Sequence, residues 1–218
     1  MARRQAPDAE RLLDDLSKAI ALIKSRPPTR APRLPDMIDS RKTRESIGYT
    51  KAKQNANPRT WVWLALGFHA AATVLHDHAD SVPNNSRPFA LNAGYSLELV
   101  LKAILAQNGD STPDKHGHNL VKLCELAGIQ LTLDQITTIE DFEQIIVWLG
   151  RYPAPKKEEA WDNYNDVLLP KTMIKETTRV GNTTVGSTRV NPATFANWQN
   201  YKKLWDMCIE NVDPKFMT

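Results

Sequence analysis

From Phe89 to Ala106 the chain is apolar on nearly every side of a helix, and such a stretch has few places to rest. The run PFALNAGYSLELVLKAILAQNG opens with Pro88, suited to a first helical turn, and closes on Asn108-Gly109, a stop signal. Leu97, Leu101, Ile104 and Leu105 keep the i, i+4, i+7, i+8 spacing of a packing face. The run is short for a bilayer span and is interrupted by Asn92, Ser96, Glu98 and Lys102, so protein partners rather than lipid are expected around it. Glu98 and Lys102 stand one turn apart, with Tyr95 a turn before Glu98. Their spacing suits either an exposed pair contributing a few tenths of a kcal/mol or a polar site inside a bundle.

A chain of 218 residues with 41% apolar content can bury one sizeable core. Its net charge of +3 is too mild to announce a nucleic-acid binder by itself, so where the charge lies matters more than its sum. Residues 1–25 read as an amphipathic helix, with Leu12, Leu13, Leu16, Ile20, Leu22 and Ile23 spaced among charges. Residues 26–58 read as a basic arm whose prolines, Pro27, Pro28, Pro32 and Pro35, favour extended backbone. From Lys24 to Arg59 ten Lys/Arg face Asp36, Asp39 and Glu45, a net of +7 that leaves −4 on the remainder. Arg41, Lys42, Arg44, Lys51 and Lys53 are the nucleic-acid-binding candidates in this arm, against the alternative of a solvated linker. Cys124 and Cys208 lie in helical patterns, and the start MARRQAPDAER lacks an apolar leader core. Reduced thiols in a cytoplasmic protein are expected, with no membrane partner.

The body, 59–214, reads as all-α. Arg59 to Asp80 carries Trp61, Leu64, Phe68, Ala71, Ala72 and Leu75 on one face. His69 and His76 are too far apart for one ion and are read as surface or capping residues, so no metal or other cofactor is expected. NLVKLCELAG forms a short helix stopped by Gly128, with His118 before it as a local cap or a hydrogen-bond partner for the loop. Thr132 to Gln135 has the form of a capping box for a helix over Leu133 to Leu149. Gly150 suits a left-handed cap there, displaying Arg151 and Tyr152 at a corner. The Thr-rich insertion 170–191 reads as a loop or small hairpin. Asn191-Pro192 then starts a last helix, Ala193 to Val212, whose stripe of Phe195, Trp198, Tyr201, Trp205 and Cys208 is read as core.

Four segments in this order, W-x-x-L-A-x-x-F-x-x-A-A-x-x-L at Trp61 to Leu75, AGYSLELVLKAIL at Ala93 to Leu105, GHNLVKL at Gly117 to Leu123 and GRYP at Gly150 to Pro153, resemble the HEPN domains. The resemblance spans about Arg59 to Val212 and implies an antiparallel helical bundle, a homodimer, and RNA cleavage or binding in toxin–antitoxin or phage-defence systems. Catalytic members carry an Arg followed four to six residues later by a His. This chain departs from that pattern, since Arg151 is followed by YPAPKKEEAW.

Two functions follow. One is a non-catalytic module that binds RNA, a nucleotide or a partner protein. The other is a metal-independent endoribonuclease with a rearranged site, drawn from Glu98, Lys102, His118, Arg151 and Tyr152. The second requires His118 and Arg151 to converge near Glu98 and Lys102.

Overall fold

The computed structural model describes residues 40–81, 86–181 and 183–217, and the chain divides into two units, residues 1–47 and 48–218. The amphipathic helix expected over 1–25 and the proline-containing part of the arm lie outside the described residues. In the first unit, helix α1 (Ser40–Ser46) carries Arg41 and Glu45 one turn apart, with Arg41 Nε donating to Glu45 Oε1 at 2.9 Å. The second unit begins with α2 (Lys51–Asn55), whose N-cap Thr50 accepts from the Lys53 amide. The reading of 26–58 as an extended arm is therefore corrected over 40–46 and 51–55. No proline falls between Pro35 and Pro58, and alternating charge with a threonine cap permits helix there.

Pro58 sits in the first turn of α3 (Pro58–Asp77), where a missing amide removes no helical bond, and Asn57 Oδ1 caps the Arg59 amide. The central helix is α4 (Ser86–Gln107). After a 3₁₀ turn over Pro113–His116 come α5 (Leu120–Leu126) and α6 (Leu133–Gln144), the latter with both halves of the Thr132–Gln135 capping box formed. The helix expected to Leu149 loosens into a π turn, Ile145–Leu149. Next come α7 (Glu158–Asp162), a second π turn at Asn163–Leu168 and α8 (Leu169–Lys171). Strands β1 (Met173–Val180) and β2 (Thr183–Val190) pair antiparallel with Met173 opposite Val190, so the Thr-rich insertion is a hairpin. The last helix, α9 (Trp198–Ile209), starts later than expected. Asn197, not Asn191, supplies its cap, while Asn191 Oδ1 accepts the Ala193 amide in a preceding turn.

Packing centres on α4, fourteen of whose residues are buried, Glu98 and Lys102 among them. Leu97, Val100, Leu101 and Ile104 are almost wholly inaccessible, and a fully buried residue of this kind contributes about 1.5–3 kcal/mol. Ring contacts fix the directions of the neighbours. Phe68 meets Tyr95 and His76 meets Phe89, so α3 runs antiparallel to α4. Trp198 meets Phe89 and Gln107 donates to the Asn211 carbonyl, so α9 runs parallel to α4 and antiparallel to α3. α4 is long and apolar enough to cross a membrane, but 72% of its apolar window is buried inside the protein, which makes it a core helix.

Gly150 is not left-handed as expected but has φ −74°. It is required for another reason: a Cβ there would lie 2.8 Å from the Ile145 carbonyl and 2.9 Å from Leu91 Cδ1. The close approach of α6's end to the start of α4 demands a residue without a side chain.

His69 and His76 are likewise not surface caps. His69 stacks on Trp205 at 4.2 Å and His76 on Trp198 at 4.3 Å, both nearly coplanar. Ser96 Oγ donates to the Ala93 carbonyl, so Tyr201 must donate to Ser96 Oγ and accept at its own oxygen from His69 Nδ1, 2.6 Å away. Burial holds His69 below the usual imidazole range, which favours the neutral ring, with its proton on Nδ1 to donate to Tyr201. Of the aromatic stripe expected to be core, Tyr201, Trp205 and Cys208 are buried and Trp198 is half-buried, whereas Phe195 precedes the helix and is exposed.

Candidate functional site

Glu98 and Lys102 lie one turn apart on α4, and both are buried. Lys102 Nζ donates to Glu98 Oε1 at 2.6 Å, and its charge also stands 5.7 Å from the Trp61 ring. Trp61 in turn donates its indole N–H to the Asn55 carbonyl, which ties α2 to α3 just above the pair. The exposed-pair reading of these two residues is thus excluded. Two charges withdrawn from water compensate each other only when well bonded, and here the second carboxylate oxygen is bonded too. His118 Nδ1 lies 2.8 Å from Glu98 Oε2.

His118 reaches that position because of the chain around it. The 3₁₀ turn ends at Gly117, whose φ of 67° favours glycine, and Asn119 Oδ1 caps the Lys122 amide to open α5. Of the local roles expected for His118, the cap belongs to Asn119, and the hydrogen bond goes to Glu98 on α4 rather than to the loop. On the far side, Glu143 Oε2 accepts the Leu120 amide at 2.9 Å. Burial pushes the Glu143 carboxyl up; the Leu120 amide, and more weakly His118, pull it back. A carboxylate can only accept, so the His118 proton sits on Nδ1 in the neutral ring, and Nε2 keeps the lone pair. The His118 side chain is 55% exposed while Glu98 is 5% exposed: a buried acid orients a solvent-facing imidazole.

Nearby, His116 Nε2 lies 2.6 Å from Asp110, whose carboxyl is held low first by the Thr112 amide and then by this imidazole. Lys51 on α2 stands 3.6 Å from Asp114 in the 3₁₀ turn. Lys53 is exposed on the same short helix and bends back over Gly48. One end of this unit thus gathers Lys51, Lys102, His116 and His118 with the carboxylates that hold them. Among the described residues no group of three or more His, Cys, Asp or Glu side chains is arranged to hold a metal ion.

Arg151 does not join this cluster. Its guanidinium donates to the Ile146 and Val147 carbonyls at 3.0 and 2.8 Å and lies over the Tyr152 ring at 5.4 Å. The π turn explains it, because an i→i+5 pattern frees carbonyls that need another donor. Gly150 packs beside Leu91, seven residues and so about 10 Å along α4 from Glu98. The convergence of Arg151 and Tyr152 with His118 is corrected accordingly. Arg41, Lys42 and Arg44 lie on α1 in the other unit.

The expectations missed Asp141. It is buried on α6, its Oδ2 accepts the Ala196 amide at 3.1 Å, and burial raises its carboxyl from an ordinary 3.8 to about 6. Its signal was its position, between Thr138 and Ile145 at steps of three and four on the buried stripe. No family model, curated protein or solved structure matches the chain.

Proposed function

We propose that this chain is a HEPN-like helical module that binds RNA without cleaving it, working as a dimer in the cytoplasm of a cell with a toxin–antitoxin or phage-defence system. The observation that carries the reading is the cluster around His118, where a solvent-facing imidazole is bonded to the buried Glu98–Lys102 pair and Lys51 is held by Asp114, four residues before that imidazole in the chain. Cations at 51 and 53 suit phosphates, and the imidazole can donate to or accept from a 2′-hydroxyl or base edge. The Arg151 guanidinium, which phosphoryl chemistry would need opposite His118, is instead engaged with the Ile146 and Val147 carbonyls and bonded to none of Glu98, Lys102 or His118. HEPN membership itself rests on the four sequence segments.

A second reading, an endoribonuclease with a rearranged site, draws on one contact. Glu98 orients His118 as a carboxylate orients the base of a hydrolytic dyad, leaving Nε2 to take a proton. The two separate on gels. Single-stranded RNA with purified protein and EDTA should be retarded on a native gel and stay intact on a denaturing one, with Lys51→Ala/Lys53→Ala weakening retardation. Cleavage that disappears in His118→Ala would establish the second reading, and the absence of any retardation would reject the first.

A further inference from the structure

Away from the His118 end, a cavity of about 570 Å³ opens between α3, the start of α4, the π turn after α6 and the residues leading into α9. That is the size of a small-molecule site. Phe89, Ala90, Ile145, Leu149 and Phe195 make its walls largely apolar, and the coplanar His76–Trp198 pair gives it a flat side. Into this lining comes one carboxylate. Asp141 is only 3% exposed, and among the described residues its single hydrogen bond is the one Oδ2 accepts from the Ala196 amide. No cation among the described residues is bonded to it.

We propose that the cavity binds a small aromatic cation, an amidine or aryl-ammonium, with its charged head on Asp141 and its ring against the Trp198–His76 pair. The other polar groups of the lining do not meet this need. Tyr164 is a half-buried phenol pushed up to about 12 and therefore neutral, and Arg87 lies exposed at the rim with no hydrogen bond or ion pair to Asp141. At neutral pH the carboxyl is ionised and desolvated without a counter-charge. An amidinium supplies both a charge and paired N–H donors to the remaining oxygen, whereas a neutral isostere leaves the carboxylate uncompensated.

The test is calorimetric titration of the full chain with benzamidine and with neutral benzamide, at pH 7.5 and pH 5. Benzamidine should bind saturably at pH 7.5 and at least tenfold tighter than benzamide, and the preference should collapse at pH 5 as Asp141 takes up its proton. Asp141→Asn should remove the preference, and Leu149→Trp, which fills the cavity, should remove binding. His76 lines the same space, and His76→Gln should keep the pH response. Equal affinity for the two probes, no saturable heat, or a preference that survives Asp141→Asn overturns the proposal. Should Asp141→Asn fail to fold, the wild-type comparison of the two probes at two pH values still decides it.

Discussion

His118 Nδ1 lies 2.8 Å from Glu98 Oε2 across twenty residues of sequence, joining an exposed ring to a carboxylate that also holds Lys102 inside the core. Removing one member of such a buried set strands the others.

Glu98→Ala should therefore cost about 3–5 kcal/mol, well beyond the few tenths of an exposed i, i+4 pair. Glu98→Gln with Lys102→Met should recover much of the loss, because no unpaired charge remains. Urea unfolding of both variants measures this; a loss under 1 kcal/mol for Glu98→Ala would show that the pair is not buried in solution.

Stability should fall as pH rises from about 4 to about 6. The Asp141 carboxyl titrates near 3.8 unfolded and about 6 folded, so in that window the folded state holds more protons and loses its advantage as they leave. Above both values the ionised group costs roughly 2–3 kcal/mol, at about 1.4 kcal/mol per unit. Asp141→Asn, which can still accept the Ala196 amide, should flatten that limb and be the more stable chain at pH 7.5. Thermal melts across pH 4 to 8 check it.

Two glycines should respond with opposite signs. Gly67 is in α3 with nothing within 4 Å of a new Cβ, so Gly67→Ala should stabilise by about 0.5–1 kcal/mol. Gly150→Ala meets the Ile145 carbonyl and Leu91, both within 3 Å, and should destabilise by about 1–3 kcal/mol. Chemical denaturation of the pair gives both values.

RNA binding should depend on salt and be largely indifferent to sequence. With about five cations engaged, log K against log salt should have a slope near −3 to −4, flattened by about two units in Arg41→Ala/Lys42→Ala/Arg44→Ala. A variant beginning at Asn57, which also lacks Lys51 and Lys53, would with unchanged affinity and slope remove all five of these cations from the interface.

The central helix was legible because an almost continuous apolar run leaves it nowhere but the core. Thr132 with Gln135, and Gly128, were legible because caps are local chemistry. The burial of Glu98 is set by elements that pack on α4 from elsewhere in the chain, and spacing along one helix carries no such information. The stacking of His69 and His76 on tryptophans of the last helix is equally long-range. The start of α9 was misplaced because Asn191 and Asn197 both offer capping chemistry. Asp141 does not stand out in the sequence as buried, because an acid in a helix is ordinarily solvated.

The reading of the His118 cluster as the RNA-binding surface is tested most directly by titrating isotope-labelled protein with single-stranded RNA while observing the His118 imidazole, the Trp61 indole and the Lys51 amide by NMR. Saturable shifts at all three, with the RNA recovered intact and the Arg151 resonances unmoved, are the result this account predicts. Shifts confined to residues remote from His118, or none at saturating RNA, would contradict it.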